Sequence, residues 1–226
     1  MGFLDFIFRN KPSKSNFVVQ YEKFMIKKQA EFTPIDQLNF TILDTETTGL
    51  DIKKDYIVSF GAVKMKGYRL NLEQSWEVYL DAPLQNEASL KVHEILYPIE
   101  ISPLKDFAAD LLKYIDRDII VGHHIGFDLG MLEKILKSFG LKQILNPILD
   151  TQALAIRLEQ GPHFDRRLMR KGEYALDALC ERYGIPLDDR HTASGDAFLT
   201  AQLLMKLLKL AEKKGIKNFK DLMMVY

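Results

Sequence analysis

An apolar row that turns acidic dominates this sequence. Asn39 to Thr45 reads as a strand, and Phe40, Ile42, Asp44 and Glu46 share one face of it because side chains alternate with period two. Any fold must bury the first half of that row and still find partners for two carboxylates at its end. Asp44 and Glu46 form the sole Asp-x-Glu in the chain and run into the turn Thr47-Thr48-Gly49-Leu50. Two more strand patterns follow, Tyr56 to Met65 and Ser75 to Leu80. Short connections at Gly49-Leu50-Asp51 and Lys66-Gly67 make the three an antiparallel meander.

The rest of the chain changes period. Ser102-Pro103 reads as a helix cap followed by proline, and Leu104, Phe107, Ala108, Leu111, Leu112 and Ile115 recur at helical spacing. Beyond a short buried strand, Ile119 to Gly122, the pattern predicts a helix from about Phe127 to Phe139 and a strand near Pro147 to Leu149. Helices follow near Thr151 to Leu158, Tyr174 to Tyr183 and Thr192 to Lys214. Three strands and then alternating strands and helices imply an α/β domain built on a mixed sheet flanked by helices. Ahead of it, Phe17, Val18, Tyr21, Phe24 and Met25 predict an amphipathic helix over 16–30, so the chain divides into an accessory segment, 1–36, and a main domain, 37–226.

Two later acids also face inward. Asp128 begins a helical face that continues through Leu132, Ile135 and Phe139, and Asp196 shares a face with Leu199, Leu203, Leu207 and Leu210. No Lys or Arg occupies the apolar faces beside them, and buried carboxylates need a partner or a metal. Asp44, Glu46, Asp128 and Asp196 are explained together if they converge on hard divalent cations. Carboxylate-rich two-metal sites suit displacement at phosphorus, so the implied chemistry is phosphodiester hydrolysis. His191 and His123 each stand five residues before one of these acids, and histidine is the side-chain type whose unperturbed pKa suits proton abstraction.

Composition narrows the setting. Thirty-one basic and thirty-one acidic residues give a formal charge of zero, which excludes a broad basic surface and leaves local contact with nucleic acid. The single cysteine, Cys180, fits a reducing compartment. The apolar start Met1 to Arg9 carries Asp5 and lacks a basic leader, and no stretch approaches the roughly 20 apolar residues of a membrane span. The expectation is a soluble, cytoplasmic protein with no membrane partner.

Three ordered segments carry a resemblance: Leu43-Asp44-Thr45-Glu46-Thr47-Thr48-Gly49-Leu50, Gly122-His123-His124-Ile125-Gly126-Phe127-Asp128, and His191-Thr192-Ala193-Ser194-Gly195-Asp196. They resemble the motifs of the DEDDh 3′-5′ exonuclease family, whose members include the epsilon-type proofreading chains of bacterial DNA polymerase III. Leu176-Asp177-Ala178-Leu179-Cys180 is similar to epsilon-type chains as well. The resemblance implies a ribonuclease H-like fold, with Asp44, Glu46, Asp128 and Asp196 holding two Mg²⁺ or Mn²⁺ ions and His191 as the base. It also implies substrate contacts from Thr47, Leu50, Phe127 and His93. The partners that the resemblance implies are single-stranded or frayed 3′ ends, DNA before RNA, and a DNA polymerase subunit. An RNA exonuclease of the same family and a polymerase-accessory module without useful catalysis are the alternatives. Departures from the pattern are Val58-Ser59-Phe60-Gly61, Glu94 and His124, which stand where relatives usually carry Ile-Glu-Ile-Gly, Gly and Asn.

Overall fold

A computed structural model of the chain describes residues 14–82, 101–188 and 190–224. The meander is present: β1 (Asn39–Thr47), β2 (Ile57–Lys66) and β3 (Arg69–Leu80) pair antiparallel. Its tight reversal between β2 and β3 uses Gly67 at φ 55°, where Asp36 backbone lies too close for any Cβ. β3 begins six residues before the predicted Ser75, because its early half is exposed and lacks the apolar alternation that marks a strand.

Among the described residues, three short strands complete a six-stranded sheet ordered β4-β3-β2-β1-β5-β6. β5 (Ile119–Gly122) and β6 (Ile148–Asp150) extend it parallel to β1, and β4 (Ile101–Ser102) adds to β3 in parallel. The sheet is mixed, as expected. Ser102 is therefore in a strand and caps nothing; the residue preceding α2 (Leu104–Ile115) is Pro103.

Helices cover both faces. On one side, Phe40 and Ile42 of β1 pack with Leu199, Leu203 and Leu207 of the long α6 (Ala193–Lys213), together with α4 (Thr151–Gln160) and α5 (Leu176–Arg182). On the other, Leu43, Phe60 and Ala62 meet α1 (Asn16–Phe24), α2 and α3 (Gly126–Lys137). A short α7 (Phe219–Met223) closes the described chain. Because β1 is buried on both faces down to Leu43, the row that continues into Asp44 and Glu46 starts inside the core and ends at its rim.

The first helix is shorter than its predicted span over 16–30. Val18 and Tyr21 are buried, but Ile26 is 78% exposed, so the apolar stripe that paid for helix ends near Met25. Arg117 pins that end by stacking on the Phe24 ring and donating to the Phe24 carbonyl at 3.0 Å.

Candidate active site

The geometry of the acids follows from one close packing. Gly61 of β2 sits opposite Asp44 of β1, and a Cβ there would lie 2.2 Å from the backbone of Ala193 and Ser194. Only glycine lets the first turn of α6 lie flat on the sheet at this point. Thr192 caps that turn by accepting from the Gly195 N–H at 3.0 Å. Asp196, one residue further, thereby reaches β1.

Ligand atoms of Asp44, Glu46 and Asp196 lie within 4.8 Å of one another. Asp128 arrives from the opposite helical layer and stands beside this trio. Its Oδ1 accepts from the Thr45 N–H at 3.0 Å and the Thr45 hydroxyl at 2.6 Å. Thr45 points away from Asp44 along the strand, so it reaches the layer that α3 occupies. Burial raises the Asp44 carboxyl well above its ordinary range, with Asp128, Asp196 and Glu46 adding repulsion. Burial likewise lifts Glu46 to about 7 and Asp128 to about 6, the latter against the pull of the Thr45 hydroxyl.

The donor set fits hard dications. All four groups offer carboxylate oxygen, three lie within mutual reach, and Asp196 Oδ1 is buried with no hydrogen-bond partner. One cation of the chain is also present. Arg190 bonds through Nη1 to Asp196 Oδ2 and through Nε to Asp177 Oδ1. The apolar faces beside the inward acids carry no Lys or Arg, as expected, but the loop before α6 supplies a basic side chain that face periodicity does not reach. Arg190 lies on the loop before α6 and outside every periodic face, and its adjacency to His191 was the sole local signal.

The histidines separate cleanly. His123 bonds through Nδ1 to the Thr151 hydroxyl at 2.9 Å and through Nε2 to the Tyr174 carbonyl at 3.0 Å, and burial lowers its pKa to about 4. That is a structural histidine. His191 is exposed on the loop leading into α6, at φ 69°. Thr47 donates to the Gly49 carbonyl at 2.8 Å and so shapes the turn after β1. Leu50 on the same turn is 86% exposed, and Phe127 is half-buried at the start of α3. His93 and Glu94 lie outside the described residues. A groove of about 940 Å³, lined by Lys64, Trp76, Tyr114 and Asp118 among others, lies toward the Asn39 end of β1 and shares no residue with the acids.

A family model described as "Exonuclease", RNase T type, matches residues 41–204, and the chain belongs to this exonuclease family, with the ordered motifs of its DEDDh class. Among curated relatives, a DNA polymerase III subunit epsilon-like protein of Rhodobacter capsulatus is 31% identical over 83% of this chain and 26% of its own length. The DNA polymerase III subunit epsilon of Aquifex aeolicus is 27% identical over 81% of this chain and 87% of its own. A PolC-type DNA polymerase III of Bacillus subtilis is 29% identical over 83% of this chain, which spans only 13% of that protein. In structure, the chain resembles exonuclease I of E. coli, solved with a dT13 oligonucleotide. The TM-score is 0.62 at 17% identity, over 79% of this chain and 43% of that one.

Proposed function

We propose that this chain is a metal-dependent 3′-to-5′ exonuclease that hydrolyses DNA from single-stranded or frayed ends and releases nucleoside monophosphates, in proofreading or repair. The observation that carries the reading is the clustering of Asp44, Glu46 and Asp196 with Asp128 alongside, two acids at the end of one strand joined by one from each helical layer. Asp44, Glu46, Asp128 and Asp196 would hold two Mg²⁺ or Mn²⁺ ions. When bound, such ions supply an activated water and neutralise charge at the leaving oxygen. His191, exposed at the mouth of the cluster's last element, takes the proton of the attacking water. Leu50, Thr47 and Phe127 border the terminal nucleotide, Leu50 offering an exposed apolar surface to a base.

The choice of DNA rests on relatives named as DNA polymerase III chains and on the DNA oligonucleotide in the exonuclease I structure. The same relatives support a polymerase partner. Cytoplasmic action is supported by the lone buried Cys180, and no described helix is long and apolar enough to cross a membrane. Digestion of 3′-labelled and 5′-labelled single-stranded DNA, each beside its RNA counterpart, with Mg²⁺, Mn²⁺ or EDTA, tests the reading. Immediate release of the 3′ label as mononucleotide, lost in EDTA and in Asp44→Ala, is expected. Strong RNA preference overturns the DNA assignment, and no cleavage with any metal overturns the enzyme.

A further inference from the structure

Asp196 poses a problem of orientation. It is 7% exposed, it stands within reach of two other carboxylates that repel it, and its Oδ1 has no hydrogen-bond partner. Left alone, a carboxylate in that position turns about its side-chain torsion until it faces away from Asp44 and Glu46. Its second oxygen is what prevents this, because Oδ2 accepts from Arg190 Nη1.

Arg190 is itself held. Its Nε donates to Asp177 Oδ1, and the planar guanidinium fixes the direction of Nη1 once Nε is tied. Asp177 belongs to the first turn of α5, a helix whose Leu179 and Cys180 are fully buried, so the tether ends on the core. The Leu176-Asp177-Ala178-Leu179-Cys180 segment thus joins an anchoring face to one outward acid.

We propose that Asp177 and Arg190 form a positioning pair that turns Asp196 so that Oδ1 faces the cation-binding cluster. This inference rests on the reading of the four acids as ligands of divalent ions. A rival role for Arg190 is simple charge neutralisation, and the two roles differ in sign. A guanidinium that merely cancels charge competes with cations, so its removal tightens their binding. A guanidinium that orients a ligand strengthens binding, so its removal weakens it.

The test is Mn²⁺ affinity of the full chain without nucleic acid, read from the paramagnetic resonance signal of free Mn²⁺, with folding followed by circular dichroism. Arg190→Gln is expected to bind Mn²⁺ about tenfold or more weakly, the size seen when a ligand's outer hydrogen bond is lost. Asp177→Asn shifts affinity in the same direction, and the double variant is no weaker than Arg190→Gln alone, since both act through one contact. Arg190→Lys keeps the charge but lacks the fork, and it stays weak. Unchanged or tighter binding by folded Arg190→Gln overturns the pair. If that variant fails to fold, unchanged affinity in Asp177→Asn and Arg190→Lys does the same. No Mn²⁺ binding by the wild type overturns the metal-site reading itself, and the pair with it.

Discussion

Glu46 shows how one side chain ties stability to pH. Its carboxyl titrates at about 7 in the fold, above the ordinary value of 4.5, first through burial and then through Asp196. The folded chain therefore holds a proton that the unfolded chain has released. The corresponding stability is complete below about 4.5 and is lost as pH rises through about 7. Glu46→Gln never ionises, so in EDTA its melting temperature should climb relative to wild type between pH 5 and about 8. A difference independent of pH would remove Glu46 from the strained set. His191→Ala makes a separate kinetic prediction: loss of a general base costs about a hundredfold or more in rate. End binding, measured with the metal replaced by Ca²⁺, should stay near wild type. An unchanged rate would make His191 structural.

At the scale of elements, the contact between β2 and α6 decides whether Asp196 meets Asp44. Gly61→Ala places a methyl into the backbone of Ala193 and Ser194, neither of which can yield like a flexible side chain. The helix start must lift. Expected outcomes are destabilisation of about 1–3 kcal/mol in urea unfolding, as for other overpacked sites, and weaker Mn²⁺ binding by the folded fraction. Equal affinity would show that α6 can shift without moving Asp196. The first helix makes a comparable prediction. Tyr21 donates to Asn146 Oδ1 at 2.7 Å and accepts from the Leu145 N–H at 2.7 Å, tying α1 to the loop before β6. Tyr21→Phe leaves both groups unpaired and should cost about 1–3 kcal/mol in the same assay. A loss within error would mean that α1 adds nothing beyond its apolar contacts.

Across the whole molecule, charge is balanced, thirty-one basic residues against thirty-one acidic, and several basic groups are already committed. Arg167 pairs with Asp165, Arg182 with Glu159 and Lys220 with Glu31. Only a few phosphates can then be neutralised on binding. Affinity for a single strand should fall with a log–log salt slope of about −1 to −3, given roughly −0.7 per phosphate contact. A slope steeper than about −5 would reveal an extended basic track that this charge pattern does not provide.

The sequence by itself determined the order and type of most elements, because periods of two and 3.6 are local properties of neighbouring residues. It also marked Asp128 and Asp196 as inward-facing, though it missed the equally buried Asp118, and the three motifs carried the family. Tertiary structure decided how those acids meet. Thr45 grips Asp128 across 83 positions, and Asp128 comes from the layer opposite the one that supplies Asp196. No periodicity encodes a contact of that separation. The two-residue β4 and the extension of β3 were equally illegible, since an exposed or very short strand is defined by its pairing partner and carries no alternation of its own. Arg190 was hidden for a related reason: a loop side chain has no face, and its two acidic partners appear only once α5 and α6 are packed together.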